Sequence, residues 1–350
     1  MSGAIGPALR MLQPGPQTTV QDLGRLGFQA LGVPSCGALD PVALRLANRL
    51  VGNEEGIAGL ESRLIGPRFE VVGAPVRLAL AGASAPIEVE LDDTTRQVDA
   101  WRAFTVPAGS HVRIGALRGS GCAVLAIGGG LDVPKVLGSR STDMKGGFGG
   151  YQGRALSAGD IIGIRGGALD GPDVELPVPP SLEFSGTLRV VLGPQADAFT
   201  ADGIRTFLDT PFEVSREADR MGMRLIGPAL SFVRGADIAS DGIATGAIQV
   251  PGSGQPIVLL ADHQTIGGYA KIATVISADL PAAGRLLPGA AIRFRAVTVA
   301  EAEEARRALE REIARLIESM APARDVARID EAALFSANLI SGVVTALDTA

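Results

Sequence analysis

Hydrophobic and polar residues alternate along several short segments, which is the pattern of β-strands with one buried face. In the segment "PIEVELDD", Ile87, Val89 and Leu91 fall on one side and acidic residues fall on the other. The segments that begin at His111 ("HVRIG") and Ala291 ("AIRFRAV") alternate in the same way. Each of these segments predicts a strand.

Three other segments are continuously apolar and end in turn residues, which favours strands buried on both faces over helices. They begin at Cys122 ("CAVLAIGG"), Leu188 ("LRVVLG") and Pro256 ("PIVLLA"). Their lengths are those of strands. Together with the alternating segments, they predict a mainly β fold.

Helical patterns are few. One helix is predicted to begin after Asp40, a good N-cap, with Pro41 at its first position and Gly52 at its C-terminal stop. A second is predicted over Val299–Met320, where one apolar stripe faces a charged remainder. A third, shorter helix is predicted within 330–344.

A segment rich in Gly and Pro divides the chain. Arg165–Gly186 has no sustained period, so it is interpreted as a linker between two halves. The expected domains are an N-terminal half over 1–170, a C-terminal half over 186–298 and a helical extension over 299–350.

A short repeat agrees with this division. The pentapeptide "RLIGP" occurs at Arg63–Pro67 and at Arg224–Pro228, each time before a strand-like segment. Five identical residues also arise by chance, so duplication and coincidence both stay open. A duplication would predict two similar β-rich halves with a site near their junction.

Composition agrees with a strand-rich protein and excludes several functions. The 46 Gly and 22 Pro residues indicate many turns. The net charge of −6, without a long basic run, disfavours nucleic-acid binding. No segment is apolar over a membrane-spanning length and no signal peptide is apparent. Two cysteines make no disulfide framework, so a cytoplasmic location is expected.

Polar residues concentrate in the second half, within about fifty positions. Fixed hydrogen-bond donors, cations and a proton acceptor are what a site for an amide or a carboxylate requires. The candidates are Arg220, Asp241, Gln249, Asp262, Gln264, Thr265, Gly267, Gly268, Tyr269 and Lys271.

Each candidate also has a structural interpretation. Asp241 precedes a Gly and could only bond the backbone of a turn. Gly267 and Gly268 could only permit a tight hairpin. His263 is adjacent to Asp262, so the two cannot be read as a base and its orienting partner from the sequence alone.

The first half has its own candidates: Asp22, Arg25 and Arg140. Arg140 precedes a glycine-rich segment, 146–150, whose backbone N–H groups could face an anion. This segment lacks the spacing of a nucleotide-binding loop, and an ordinary loop is an equal alternative. With two His and two Cys in the chain, no metal site is expected.

Long, ordered segments of the chain resemble one protein family, and the resemblance spans about Thr19–Phe294. They are similar to the KipA/PxpC family, also called the allophanate hydrolase subunit 2 or biotin-dependent carboxyltransferase family. The segments are "TVQDLGRLGFQALGVPSCGALDPVALRLANRLVGN", "GGLDVPKVLGSRSTDMKGGFGGYQGRALSAGD", "SREADRMGMRLIGP", "SDGIATGAIQVPGSGQPIVLLADHQTIGGYAKIATVISADLP" and "LLPGAAIRF".

The resemblance implies two cyclophilin-like β-barrel halves with a few peripheral helices and a C-terminal helix. It also implies one of three roles. The first is the PxpC component of an ATP-dependent 5-oxoprolinase, acting with PxpB-like and PxpA-like subunits to convert 5-oxo-L-proline to L-glutamate. The second is the carboxyltransferase component of a biotin-dependent urea carboxylase. The third is a non-catalytic, KipA-like regulator of a KipI-like protein.

The chain shows neither a biotinyl-lysine motif nor an ATP-binding carboxylase region, which favours the oxoprolinase role. ATP is then expected to be shared with a partner subunit, and biotin belongs to the second role. Within the matching segments, amide contacts are assigned to Gln249 and Gln264, and carbonyl donors to Thr265, Gly267 and Gly268. Anion contacts are assigned to Arg220 and Lys271, and general-base catalysis to Asp262 or Asp241.

Overall fold

Strands form most of the regular structure in residues 6–166 and 171–324, the parts of the chain that the computed structural model describes. The predicted helix within 330–344 lies outside the described residues. The strands of the first half are β1 (Ala8–Gln13), β2 (Gln17–Gln21), β3 (Gly59–Arg63), β4 (Arg68–Val72), β5 (Val76–Ala81), β6 (Ile87–Leu91), β7 (Thr94–Val98), β8 (Ala103–Val106), β9 (His111–Ile114), β10 (Cys122–Ile127) and β11 (Ile161–Gly163). The linker contains one short strand, β12 (Val174–Glu175).

Ten more strands follow along the chain, nine in the second half and the last one in the C-terminal extension. They are β13 (Thr187–Leu192), β14 (Phe212–Val214), β15 (Gly222–Ile226), β16 (Asp237–Gly242), β17 (Ala247–Gln249), β18 (Ile257–Leu259), β19 (Ile266–Tyr269), β20 (Lys271–Val275), β21 (Ala291–Ala296) and β22 (Ala321–Pro322). The helices are α1 (Pro41–Leu50), α2 (Ala201–Asp209), α3 (Leu280–Arg285) and α4 (Val299–Glu318).

The first half consists of two sheets around a common core. Strands β11-β1-β4-β9-β6-β7 form one sheet and β2-β3-β10-β5-β8 form the other. Apolar residues of both sheets, such as Leu9, Phe69, Leu78 and Leu125, meet in one cluster. Helix α1 and the apolar stripe of α4 cover the outer face of β5 and β10, which explains why β10 is buried along its whole length.

The second half closes into a seven-stranded barrel in the order β13-β20-β17-β18-β15-β14-β21. Phe207 of α2 stacks on Phe294 of β21, with ring centroids 4.5 Å apart, beside Phe212. Strands β16 and β19 form a separate two-stranded ribbon. The predicted mainly β architecture in two halves is confirmed, whereas the domain boundaries at 170, 186 and 299 stay a prediction.

Some sequence predictions were wrong in detail. Strand β13 alternates in burial, with Leu188 and Val190 inward, because only one face of it meets the barrel core. Helices α2 and α3 were not predicted, since both are short and carry an internal Gly or Pro. The two "RLIGP" copies also differ in position. Arg63 ends β3, whereas Arg224 lies inside β15, so this pentapeptide does not support a duplication.

One carboxylate both starts α1 and joins the two halves. Asp40 is the predicted N-cap, and its Oδ1 accepts a hydrogen bond from Ala43 N at 3.0 Å. Its Oδ2 accepts from Arg285 Nη1 of α3 at 2.6 Å. The prediction of a helix capped at Asp40 is therefore confirmed, with a second contact that the sequence did not indicate.

We expect Asp40→Ala to lower the free energy of unfolding by at least about 1 kcal/mol, since it removes the cap and the ion pair. Asp40→Asn is the matched control, because the side-chain oxygen of Asn can still cap the helix. Its free energy of unfolding should therefore decrease less than that of Asp40→Ala. Urea denaturation measures both. Equal stability of Asp40→Ala and the wild type would contradict this role.

Candidate functional site at the junction of the two halves

A cavity of 280 Å³ lies where the two halves meet. The first half lines it with 32–34 and with Asp143, Lys145, Gly146 and Phe148, and the second half lines it with 262–266. The structure therefore brings together two polar segments that are more than a hundred residues apart in the sequence. A larger cavity of 760 Å³ lies elsewhere on the barrel, beside β14 and β15, and contains none of the predicted site residues.

A buried ion network joins the halves beside this cavity. The guanidinium of Arg220 donates from Nε and Nη2 to the two oxygens of Asp262, both at 2.8 Å. It also donates to Glu61 on β3 and, at 2.6 Å, to Gly37 O, both from the first half. Glu61 in turn accepts from Leu39 N at 2.6 Å.

The charge of Arg220 is satisfied inside the protein. Burial alone would lower the pKa of Arg220, yet Glu61 and Asp262 raise it, so the side chain stays cationic. With all three nitrogens engaged, Arg220 holds two carboxylates of this chain rather than presenting a free cation. Its role in holding a substrate anion and the role of Asp262 as a base stay predictions, and both would require this network to open.

Two buried donors lie on adjacent barrel strands. Gln249 of β17 and Lys271 of β20 are register partners, which places their side chains on the same face. Each is 2% exposed, and neither Gln249 Nε2 nor Lys271 Nζ makes a well-aligned hydrogen bond in the described part of the chain. Gln264, which lines the cavity, donates to Gln249 Oε1 at 3.2 Å and so connects this pair to it.

Asp241 is the counter-ion of Lys271, with 3.1 Å between its Oδ2 and Nζ. The contact is an ion pair with poor hydrogen-bond alignment. Because an ammonium has three N–H donors, at least two of them stay available to another acceptor. The Lys271 ammonium first, then the Gly242 N–H and the Gln195 amide, hold the pKa of Asp241 below its usual value. Asp241 is half exposed and stays ionised at neutral pH. The sequence predicted both residues as candidates but did not predict their contact.

Gln195 was missed by the sequence analysis. Its Nε2 donates to Asp241 Oδ2 at 3.2 Å, and its Oε1 accepts from Lys271 N at 3.2 Å. The side chain therefore holds both charged residues in place. Its signal in the sequence is weak: one polar residue shortly after the apolar segment that forms β13.

The two glycines of the second half lie in a strand. Gly267 and Gly268 belong to β19, which pairs with β16, so the tight hairpin considered for them is wrong. A Cβ at Gly267 would lie 2.6 Å from Gln249 Nε2, so a larger residue there would displace the Gln249 side chain. Thr265 is buried, and Tyr269 is 42% exposed on the ribbon. The donor roles assigned to these residues stay predictions.

His263 is fully buried and held as one neutral tautomer. Its Nδ1 lies 2.6 Å from Gln264 O, a group that only accepts, so Nδ1 carries the proton. Its Nε2 then accepts from the hydroxyl of Thr245 at 3.0 Å. Burial lowers the pKa of His263, against the opposing effects of the Gln264 carbonyl and Asp262. The ring thus ties the 262–266 segment to the loop before β17.

In the first half, the carboxylate of Asp22 accepts hydrogen bonds from the 139–141 segment and so holds two loops together. Burial alone would raise the pKa of Asp22, but hydrogen bonds from Ser139, Ser141 and two backbone N–H groups hold it below its usual value. One of these N–H groups belongs to Arg140, whose own Nε donates to Val133 O at 3.0 Å. These contacts explain the local fold, and the substrate roles of Asp22 and Arg140 stay predictions.

The glycine-rich segment does not form the anion cradle that was considered. The backbone N–H groups of Gly146 and Gly147 both donate to Asp143, and that of Gly150 donates to Arg140 O. Because these donors are used inside the chain, the alternative of an ordinary loop is supported. Within residues 6–166 and 171–324, no group of three or more His, Cys, Asp or Glu is placed to hold a metal ion. No helix in the same part is long and apolar enough to cross a membrane.

Comparison with known proteins identifies the family. Residues 31–296 match the model for "Carboxyltransferase domain, subdomain A and B". The chain belongs to this family. It is 38% identical to a 5-oxoprolinase subunit of Escherichia coli over 85% of this chain and 94% of that protein. The resemblance seen in the sequence is therefore confirmed.

Two much longer proteins are similar as well. The chain is 34% identical to the urea amidolyase of Lachancea kluyveri, over 82% of this chain and 17% of that protein. The crystal structure of the Kluyveromyces lactis urea carboxylase matches with a TM-score of 0.82 and 30% identity, over 93% of this chain and 30% of that one. The carboxyltransferase family therefore includes both short relatives and segments of large enzymes.

We expect Arg220→Met to lower the free energy of unfolding by about 3–5 kcal/mol, because it leaves Glu61 and Asp262 buried without their cation. Arg224→Met is the matched control on the same segment. Arg224 is 58% exposed and pairs with an exposed Glu217. Arg224→Met should therefore change the free energy of unfolding by no more than about 0.5 kcal/mol. Chemical denaturation of both variants measures the difference, and equal losses would contradict the role of the network.

His263 gives a pH dependence whose sign follows from its lowered pKa. Below about pH 6.5 the unfolded chain takes up a proton at this residue before the folded chain does, so stability falls as the pH falls further. We expect His263→Gln to flatten the fall in unfolding free energy between about pH 7 and pH 5. An unchanged pH profile in urea denaturation would contradict the neutral, buried state of the ring.

Proposed function

We propose that this chain is the PxpC-type component of an ATP-dependent 5-oxoprolinase that acts with PxpB-like and PxpA-like subunits. The complex would convert 5-oxo-L-proline to L-glutamate in the cytoplasm. Supporting this is the match over 94% of the length of a 5-oxoprolinase subunit from Escherichia coli. ATP would be bound jointly with a partner subunit.

The observation that carries the proposal is the pair of buried donors, Gln249 Nε2 and Lys271 Nζ. A lactam carbonyl needs donors where negative charge develops on its oxygen, and donors already fixed in a dry site serve best. Gln264 donates to Oε1 of Gln249, which leaves Nε2 of Gln249 for an acceptor from outside the chain. The substrate carbonyl would be that acceptor.

Asp241 is the better candidate for moving the proton on the ring nitrogen. Both oxygens of Asp262 are held by Arg220, whereas Asp241 is half exposed. The Lys271 ammonium makes Asp241 a weak base in the free protein. When Lys271 turns to the substrate carbonyl, the pKa of Asp241 rises, so substrate binding itself would activate the base.

A second candidate function is carboxyl transfer from carboxybiotin to urea. The similarity to urea carboxylase and urea amidolyase supports it, and urea offers the same carbonyl and N–H groups. The donor pair would then polarise urea. Biotin would be supplied by another protein or domain.

We expect Lys271→Met to lower kcat for 5-oxoproline-dependent ATP hydrolysis about 10²–10³-fold in the reconstituted complex, because a donor to the developing oxyanion is lost. Lys135→Met is the matched control, since Lys135 is exposed and does not line the cavity at the junction. A coupled assay of ADP release measures turnover. Full turnover by Lys271→Met would contradict this role.

The same wild-type complex discriminates between the functions. ATP hydrolysis that depends on 5-oxoproline supports the 5-oxoprolinase. Carboxylation of urea in the presence of a biotin carboxylase and carboxybiotin supports the second function. If neither occurs while the chain still binds a KipI-like protein, the KipA-like regulator is supported and both enzymatic proposals fail.

A further inference from the structure

Two arginines are almost fully buried near the junction, but only one is satisfied. Arg220 has acceptors on all three nitrogens, whereas Arg25, at 1% exposure, has one acceptor. Its Nη2 donates to Ser141 O at 2.5 Å. Its Nε and Nη1 have no hydrogen-bond acceptor, and no carboxylate lies at ion-pair distance, among residues 6–166 and 171–324.

The aromatic ring of Phe148 does not replace a counter-ion. It lies 4.8 Å from the guanidinium carbon of Arg25, which is a cation–π contact. The ring stabilises the cation over its face but leaves the N–H groups of Nε and Nη1, at the edge, unsatisfied. A buried cation without a partner therefore lowers the stability of the free protein.

The surroundings hold this cation in place. Arg25 N donates to Ser35 O at 2.8 Å, which fixes the backbone. Gly149 lies against the guanidinium, and a Cβ there would lie 2.2 Å from Ser141 O and 2.8 Å from Arg25 Nη2; its φ of +71° also favours glycine. The backbone around Arg25 is thus fixed, and no residue in 6–166 or 171–324 neutralises its charge by an ion pair.

The position is also next to open space. Phe148 lines the 280 Å³ cavity at the junction, and Ser35 and Cys36 line a second cavity of 340 Å³. Phe148 both lines the first cavity and stacks on the guanidinium, so one side chain separates Arg25 from this open space.

We propose that Arg25 is the binding residue for a small oxyanion at the junction of the two halves. Planar guanidinium donors match the oxygens of a carboxylate or a phosphate, and burial makes such contacts strong. Three sources share this chemistry: the carboxylate of 5-oxoproline, inorganic phosphate from ATP hydrolysis, and bicarbonate. The oxyanion site does not depend on the proposed 5-oxoprolinase function, because phosphate or bicarbonate would fit it as well as the substrate carboxylate.

The test uses thermal unfolding of the full chain and of Arg25→Met at constant ionic strength. Separate samples contain 5-oxo-L-proline, inorganic phosphate or bicarbonate, and 2-pyrrolidinone serves as the uncharged control for the ring. At about a hundredfold excess over Kd, we expect at least one anion to raise the Tm of the wild type by about 3 °C or more. It should not raise the Tm of Arg25→Met.

The stability of the free variant separates a binding role from a structural one. Arg25→Met removes an unpaired buried cation, so it should unfold at the same temperature as the wild type or higher, in contrast to Arg220→Met. The proposal is overturned if no anion stabilises the wild type, if both proteins respond equally, or if Arg25→Met is destabilised like Arg220→Met.

The separate anion samples distinguish the oxyanion site from the proposed 5-oxoprolinase function. A complex without 5-oxoproline-dependent ATP hydrolysis would end the 5-oxoprolinase proposal. Stabilisation by phosphate or bicarbonate that disappears in Arg25→Met would still support the oxyanion site. If 5-oxoproline is the active anion, Arg25→Met in the complex should raise KM about tenfold or more, the effect of losing a charged hydrogen bond.

Discussion

The buried contact of Arg220 with Glu61 and Asp262 is the interaction on which the junction depends. One guanidinium holds a carboxylate from a sheet of the first half and another from a loop of the second half. A charge buried in this way is tolerable only when its partners stay in place, so the two halves cannot separate locally without a large cost. This fixes the distance between the loops that line the cavity.

The polar groups around this contact fall into two kinds. Arg220, Asp22 and His263 have their hydrogen-bonding capacity met by the chain, and they hold loops in position. Gln249 and Lys271 are equally buried, but among the residues that the structure describes Gln249 Nε2 has no acceptor and Lys271 Nζ has only its ion pair with Asp241. Buried donors are rarely left unpaired in folded proteins, which is why these groups are the proposed ligand contacts. The residue type does not distinguish groups that hold loops from groups that are available to a ligand. Their hydrogen-bond partners do.

The sequence predicted the parts of the fold that are set locally. Alternation in the "PIEVELDD" segment predicted β6, and Asp40 followed by Pro41 predicted the start of α1, because these patterns depend on neighbours in the chain. The sequence also predicted several of the residues that line or adjoin the cavity. It did not predict the partner of Arg220, because Glu61 lies 159 residues away and its segment looks like any other strand. Gln195 was missed for the same reason.

The central claim is that Gln249 and Lys271 receive the substrate carbonyl at the junction of the two halves. A crystal structure of the chain, alone or in its complex, with 5-oxo-L-proline bound tests it most directly. The account predicts the lactam oxygen within hydrogen-bond distance of Gln249 Nε2 and Lys271 Nζ. Binding of the ligand in the 760 Å³ cavity beside β14 and β15, with neither donor contacting it, would contradict the account.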